Sequence, residues 1–184
     1  MPGCRSLTPE EISQVLTQLN TPRDRLLLVM GLKTGFRVSE LLTLKVGDVL
    51  SPAGGIVDKL TVYKINMKGK KKARTVALHG EVIALLQPYV VGKHPAHPLF
   101  ESPKTGKAIT RFTAYHIMKL AFDSLGLAGK LGTHSWRKVF ANVIYLKSGK
   151  DLLKTSRALG HDRVMNTERY LEIKQDEIDD LIVN

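Results

Sequence analysis

The sequence predicts a mainly α-helical α+β domain with a small antiparallel sheet. Apolar residues recur at helical spacing through most of the chain, whereas residues 60–65 and 75–78 form short strand-like runs. The 43% hydrophobic and 24% charged fractions are typical of a globular protein. We therefore expect a single domain over 1–184, with 1–7 flexible and 171–184 forming a C-terminal tail.

The first two helices carry clear start signals. Thr8 precedes Pro9, and Glu11 completes a capping box, so a helix begins here. Thr21 gives a second start, and the helix that follows is apolar on nearly every face, which predicts a central core element. Gly35 ends this helix and permits a sharp turn.

Arg37 follows that turn and opens a short helix whose leucines point inward. An arginine beside so much apolar sequence is costly to bury unless an anion or a carboxylate pairs with it. The sequence offers two such carboxylates, Glu40 and Asp48. A structural ion pair and an anion site both remain open for Arg37.

The two predicted strands are joined across residues 67–74. Five of the seven residues from Lys68 to Arg74 are cationic. Such a run is often only a solvated surface. A lysine-bearing hairpin is also a suitable device for bringing a proton donor into a groove.

The second half of the chain is predicted to be helical. We expect helices over 81–89, where Pro88 ends or kinks the helix, over 110–125 after the cap Thr110, from Thr133, from Asp151 to 159, and from 166 or 167 to present Tyr170. His94 and His97 are three apart, but Pro95 and Pro98 oppose a helix there. We therefore expect no metal site.

The net charge of +11, from 28 basic and 17 acidic residues, indicates a polyanionic partner. DNA, RNA and an anionic membrane surface all fit this charge. No apolar run approaches the ~18 residues of a membrane span, and the amino terminus is too polar for a signal peptide. We expect a cytoplasmic protein. Cys4 is the only cysteine, which excludes an internal disulfide.

Residues near the carboxyl end form a pattern that suits attack of a tyrosine on a phosphate. His134 and Arg137 are three apart in a helical pattern, so they can reach the same small anion. His161 and Tyr170 follow at an interval that allows another helix to fold back. Each residue has an ordinary structural explanation by itself, and the functional interpretation depends on their coincidence with the basic charge and the lysine hairpin.

Together these residues resemble the catalytic domain of the tyrosine recombinases, also called the phage integrase family. The resemblance extends from about Thr8 to about Ile173 and implies that family's catalytic fold. Trp136 departs from the pattern, because a smaller aliphatic residue is commoner there. The positions that match the family's catalytic residues are Arg37, Lys68, His134, Arg137, His161 and Tyr170.

The resemblance implies the role of each residue. Tyr170 is the nucleophile and forms a 3′-phosphotyrosyl intermediate, while Arg37 and Arg137 grip the phosphate oxygens. His134 is the candidate acceptor for the tyrosine proton, and Lys68 is the candidate acid for the leaving 5′ oxygen.

Other residues have less specific roles. His161 is expected to bond a phosphate oxygen or to hold Tyr170. Lys70, Lys71 and Lys72 compete with Lys68 for the acid role and, with Arg74, are predicted DNA contacts. The chemistry requires no cofactor and no metal.

The resemblance also implies partners. We expect double-stranded DNA with specific sites, self-association on DNA as a dimer or tetramer, and possible accessory DNA-bending proteins, but no membrane. The tail, 171–184, could dock on another protomer or on its own core.

The helical DNA-binding domain that usually precedes this domain has no counterpart in the sequence. The chain is thus either a stand-alone recombinase, resembling the fimbrial-switch invertases, or a truncated one. Site-specific recombination is the leading function. The alternatives are relaxation of DNA by a type IB topoisomerase-like enzyme and a non-enzymatic DNA-binding module.

Overall fold

The computed structural model describes residues 3–65, 71–161, 163–168 and 170–171. This part of the chain is mainly helical with a small antiparallel sheet, which confirms the predicted fold class. The elements in chain order are α1 (Pro9–Gln18), α2 (Pro22–Thr34), α3 (Val38–Leu41), a 3-10 helix (Val46–Val49), β1 (Lys59–Ile65), β2 (Lys71–Ala77), α4 (Gly80–Val90), α5 (Arg111–Ser124), α6 (Ser135–Lys147), α7 (Leu152–Leu159) and α8 (Met165–Glu168).

The described residues fall into two compact units, which divide between Phe140 and Ala141, within α6. The single domain over 1–184 therefore stays a prediction. Among the described residues, none of the helices combines the length and the apolar character that crossing a membrane requires.

The caps of α1 and α2 form as predicted. The Glu11 main-chain N–H donates to the Thr8 hydroxyl (3.2 Å), and the Thr8 N–H donates to the Glu11 carboxylate (2.9 Å), which confirms the capping box. The Asp24 N–H donates to the Thr21 hydroxyl (3.1 Å). The helix α2 then ends at Gly35, whose φ of 59° is left-handed.

The helix α2 forms the centre of the first unit. Its apolar side chains are almost completely buried, as the absence of a polar face predicted. Burying one such side chain contributes about 1.5–3 kcal/mol to the stability of the fold. The buried helix α2 therefore holds the start of the turn that follows it in a fixed position. The buried apolar residues of α2 are Leu26, Leu27, Leu28, Val29, Met30 and Leu32.

The segment before α1 is anchored, although residues 1–7 were expected to be flexible. The Arg5 guanidinium donates to the Glu11 carboxylate at 2.7 and 2.6 Å, and the Arg5 N–H donates to the Lys130 carbonyl (2.9 Å). Leu7 is buried in the core. An ion pair and an apolar contact thus hold a stretch whose polar composition gave no sign of them.

The hairpin differs from the prediction in where its second strand begins. The strands pair from Lys59 with Ala77 to Ile65 with Lys71, so β2 includes residues that were assigned to the connection. Backbone pairing does not depend on apolar side chains, and the cationic sequence therefore concealed the strand. Residues 66–70, including Lys68 and Lys70, lie outside the described residues.

The later helices are confirmed in type and shifted at some ends. Thr110 caps α5 and Asp151 caps α7, as predicted. The helix α4 continues to Val90, two residues past Pro88.

Two predicted helix limits near the candidate catalytic residues are wrong. Helix α6 begins at Ser135, so His134 lies in the preceding turn, where its carbonyl accepts from the Lys138 N–H (3.1 Å). Helix α8 spans Met165–Glu168, and Tyr170 lies in the turn beyond it. The predicted tail lies outside the described residues after Leu171.

We expect Gly35→Ala to destabilise the protein strongly. A Cβ at this position would overlap the Phe140 ring, and the left-handed backbone adds a further cost. Together these effects should lower the free energy of unfolding by about 2–5 kcal/mol in urea titrations.

Gly54→Ala is the matched control for this substitution. Gly54 is also left-handed, with φ of 81°, but a Cβ there would meet nothing within 4 Å. It should cost only about 1–2 kcal/mol. Equal losses for the two variants would contradict close packing at Gly35.

Candidate active site

The turn after α2 places Arg37 at the start of α3. The Arg37 main-chain N–H donates to Glu40 Oε2 (2.7 Å), and Arg37 Nη1 donates to Glu40 Oε1 (2.9 Å). Glu40 is buried, whereas 27% of the Arg37 side chain is exposed. Asp48, the other candidate partner, instead accepts from the Lys45 N–H (2.8 Å). Glu40 therefore anchors Arg37, and the guanidinium still reaches solvent.

Arg137 lies in the first turn of α6 and is 1% exposed. Its Nη1 donates to the Gly35 carbonyl. The preceding residue, Trp136, is also buried, and its Nε1 donates to the Phe36 carbonyl (3.3 Å). Its ring packs so closely on α2 that a Cβ at Gly31 would lie 2.6 Å from it. Adjacent residues of α6 thus hold the same turn that positions Arg37.

Arg74 reaches this turn from β2. Its Nη2 donates to the Thr34 carbonyl (2.5 Å) and its Nη1 to the Gly35 carbonyl (3.2 Å). The guanidinium carbon lies 4.7 Å from the centre of the Phe36 ring, and 12% of the side chain is exposed. Arg74 was grouped with Lys70, Lys71 and Lys72 as a DNA contact. The structure instead places its side chain mostly inside the first unit.

These contacts bring three guanidinium groups close together. They belong to Arg37, Arg74 and Arg137, called here the arginine cluster. Two of them pair with Glu40, since Arg37 Nη1 lies 2.9 Å from Glu40 Oε1 and Arg74 Nη1 lies 3.9 Å from Glu40 Oε2. Burial and the Arg137 charge lower the pKa of Arg74 to about 9, while Glu40 raises it. Arg74 thus stays protonated at neutral pH. Three guanidinium groups so close together create a positive potential that favours an anion.

His134 lies next to the arginine cluster. Partial burial, followed by the charges of Arg137, Arg37 and Arg111, lowers the pKa of His134 below its ordinary value of 6.5. The ring is therefore mainly neutral at pH 7. A neutral imidazole has the lone pair that a proton acceptor needs.

The second unit brings His161 and Tyr170 together. Their ring centres lie 5.1 Å apart, tilted by 42°. His161 Nδ1 is hydrogen-bonded to the hydroxyl of the buried Thr167 (2.9 Å), and the Tyr170 N–H donates to the Thr167 carbonyl (2.8 Å). The left-handed Gly160, with φ of 64°, ends α7 directly before His161. Thr167 thus links the histidine to the candidate nucleophile.

The predicted site residues are therefore found in separate groups. Arg37, His134 and Arg137 belong to the first unit, and His161 and Tyr170 to the second. Lys68 and Lys70 lie outside the described residues. The structure describes the backbone of Lys71 and Lys72 within β2.

Sequence reasoning left the role of Glu40 open and missed that of Arg74. Side chains along a strand alternate between its two faces, and this alternation carried a signal that Arg74 points inward. Arg74 pairs with the buried Val62, and Val76 pairs with the buried Leu60. Residues two apart share one face of a strand, so Arg74 faces the same side as Val76.

The profile of the phage integrase family matches residues 5–177. The chain belongs to the phage integrase family. This confirms the assignment made from the residues.

Relatives in the phage integrase family are named recombinases. The chain is 31% identical to "Probable integrase/recombinase YoeC" of Bacillus subtilis over 91% of this chain and 86% of that protein. It is 31% identical to tyrosine recombinase XerC of Herpetosiphon aurantiacus, covering 84% of this chain and 49% of the relative. It is 30% identical to tyrosine recombinase XerD of Staphylococcus saprophyticus, covering 91% of this chain and 59% of the relative. The chain thus spans about half of XerC and somewhat more of XerD.

Solved structures of the family share this fold. XerA recombinase has a TM-score of 0.75 at 21% identity, covering 97% of this chain and 64% of that one. The catalytic domain of bacteriophage HP1 integrase has a TM-score of 0.66 at 24% identity, covering 98% of this chain and 94% of that one. The described elements therefore correspond to a catalytic-domain fold of the phage integrase family.

Glu40→Gln should destabilise the first unit, because it removes the negative charge that compensates Arg37 and Arg74. The expected loss is about 3 kcal/mol in the free energy of unfolding, at the low end for a buried pair because Arg37 is partly exposed. Asp123→Asn is the control, since it breaks an exposed pair with Lys119 and should cost less than about 1 kcal/mol. Equal losses would contradict the anchoring role of Glu40.

The lowered pKa of His134 predicts a pH-dependent contribution to stability. The unfolded chain binds a proton at this residue more readily than the folded protein, so stability is lost as the pH falls below 6.5. The free energy of unfolding, measured in urea at about pH 5.5 and about pH 7.5, should fall less on acidification in His134→Gln than in the wild type. A greater fall in the variant would contradict the direction of the shift.

Proposed function

We propose that this protein is a site-specific DNA recombinase that cleaves and rejoins DNA through a 3′-phosphotyrosyl intermediate, in integration, excision or inversion. The observation that carries this proposal is the arginine cluster with the neutral His134 beside it. Together with Tyr170, these residues supply what attack on a phosphodiester needs. The cluster provides charge for the phosphate, His134 provides a proton acceptor, and Tyr170 provides the nucleophile.

Double-stranded DNA is the proposed substrate. The net charge of +11 favours a polyanion, and the run of Lys70, Lys71 and Lys72 contributes three of those positive charges. Among the structural relatives, XerH was solved with its difH substrate, and lambda integrase was solved as a dimer bound to a core site. Recognition of specific sites, self-association on DNA and accessory DNA-bending proteins are part of the same proposal, as is a cytoplasmic location.

In the proposed first step, Tyr170 Oη attacks the scissile phosphorus. The bond from phosphorus to Oη forms, and the bond from phosphorus to the 5′ oxygen breaks. A phenol has an ordinary pKa near 10, so its proton needs an acceptor, which His134 supplies. Lys68 donates a proton to the 5′ oxygen as it leaves.

Arg37 and Arg137 act on the transition state of this step. The pentavalent phosphorus carries more negative charge than the ground state, so fixed cations stabilise it selectively. Guanidinium groups can hold two phosphate oxygens in a defined orientation, which a lysine cannot do in the same way. His161 holds Tyr170 in place through the ring contact and the Thr167 link.

The second step reverses the first with a different strand. The phosphotyrosine bond conserves the energy of the cleaved phosphodiester, so a 5′-hydroxyl can attack it without ATP. When that hydroxyl belongs to a partner strand, the product is recombinant DNA. As the attacking 5′-hydroxyl forms its bond to phosphorus it gives its proton to Lys68, and the bond from phosphorus to Tyr170 Oη breaks while His134 returns a proton to that oxygen.

Tyr170→Phe should abolish covalent capture of DNA, because it removes the attacking oxygen and little else. The assay uses a suicide substrate nicked beside the cleavage site, built from inverted repeats that flank the gene, and reads the protein–DNA adduct on a denaturing gel. Tyr63→Phe is the control, since Tyr63 is 61% exposed on β1 and should leave the adduct unchanged.

Three results would contradict the proposed function. An adduct that persists in Tyr170→Phe would exclude this nucleophile. The absence of an adduct on every DNA that the wild type binds specifically would favour a non-enzymatic binding module. Relaxation of supercoiled plasmid without a defined site would favour a topoisomerase.

A further inference from the structure

Arg74 is the buried member of the arginine cluster to which the proposed steps give no contact with the phosphate. Its guanidinium lies inside the first unit, although a buried arginine is costly unless its donors and its charge are satisfied. Its Nε is buried and has no hydrogen-bond partner among the described residues. A side chain held at such a cost without a functional reason is unusual.

The contacts of Arg74 converge on the turn that leads to Arg37. The Gly35 carbonyl accepts from both Arg74 Nη1 (3.2 Å) and Arg137 Nη1, and the Thr34 carbonyl accepts from Arg74 Nη2 (2.5 Å). Arg74 and Arg137 therefore share one acceptor. Gly35 lies two residues before Arg37. The hydrogen bonds to its carbonyl therefore also fix the position of the Arg37 backbone.

The orientation of Arg74 favours an indirect role. Both Nη atoms point at main-chain carbonyls, and the guanidinium lies over the Phe36 ring. In contrast, Arg37 reaches solvent, and its hydrogen bond to a side chain in the described part of the protein is the one from Nη1 to Glu40. Arg74 thus supports the turn from within, while Arg37 is available to a ligand.

We propose that Arg74 is a positioning residue, which fixes the Gly35 turn so that Arg37 and Arg137 meet the scissile phosphate together. This inference rests on the proposed function. Arg74 lies in the middle of β2 and bonds to the Thr34 and Gly35 carbonyls, so one side chain connects the hairpin with the turn. Its charge adds to the positive potential that the transition state requires.

The test measures single-turnover cleavage of the suicide substrate at saturating DNA. Arg74→Met keeps an apolar stem over Phe36 but loses the donors, and we expect cleavage to slow by about 100-fold, as for a misplaced catalytic group. Arg74→Lys keeps the charge and a donor, so it should recover part of this loss. The DNA dissociation constant should change by less than about threefold.

Lys59→Ala is the matched control for the loss of a charge. Lys59 lies on β1 of the same hairpin, is exposed, and pairs with Ala77. This variant should cleave at the wild-type rate. Thermal unfolding of each variant shows whether the fold is retained. If Arg74→Met does not fold, the cleavage rate of Arg74→Lys is used for the test instead.

Two further measurements separate positioning from a general structural defect. If Arg74 acts through Arg137, then Arg74→Met should add less than about threefold to the loss already caused by Arg137→Ala. The loss should also shrink on a substrate whose scissile phosphate is an uncharged methylphosphonate, because the arginines then have less charge to stabilise. If Arg74→Met caused only a general structural defect, its loss of cleavage rate would multiply fully with the loss caused by Arg137→Ala. The same loss would also be seen on the methylphosphonate substrate.

The outcomes distinguish this inference from the proposed function. Wild-type cleavage rates in both folded Arg74 variants would overturn the positioning role and leave the proposed function intact. Full additivity with Arg137→Ala and an unchanged loss on the methylphosphonate would also overturn it. If the wild type itself formed no adduct, the proposed function would fail and this inference would fail with it.

Discussion

The Gly35 carbonyl is the acceptor on which the first half of the site depends. It receives hydrogen bonds from Arg137 on α6 and from Arg74 on β2, and it stands in the turn that ends α2. Three elements that are distant in sequence therefore meet at one main-chain atom. A left-handed glycine is required there, because a side chain would strain the backbone and would collide with Phe140. The same turn directs Arg37 into α3.

Electrostatics and packing oppose each other at this point. The cations of the arginine cluster repel one another, and the described residues offer them Glu40 and main-chain carbonyls as partners. Burial of the apolar α2 side chains stabilises the surrounding fold enough to hold this arrangement. In the proposed function, these fixed cations need no reorganisation to stabilise an anion. Preorganised charge of this kind is what stabilises a phosphoryl transition state.

Local sequence signals predicted most of the secondary structure. The caps Thr8, Thr21, Thr110 and Asp151 were identified correctly because each bond joins residues three apart. The errors arose where local signals were weak or misleading. The start of β2 was missed because its cationic residues do not resemble a strand. Helix α6 begins one residue after His134, at Ser135, which exchanges hydrogen bonds with Gly132 in the preceding turn.

The sequence by itself determined the family, the helical fold class and the types of residue that can act on a phosphate. Those properties follow from patterns of spacing and from the chemistry of single side chains. Only the tertiary structure decided that Glu40 rather than Asp48 pairs with Arg37, and that Arg74 turns inward to the Gly35 carbonyl. These partners are chosen by how α2, β2 and α6 pack in three dimensions. A burial pattern that brings distant residues together cannot be deduced from the local propensities of each segment.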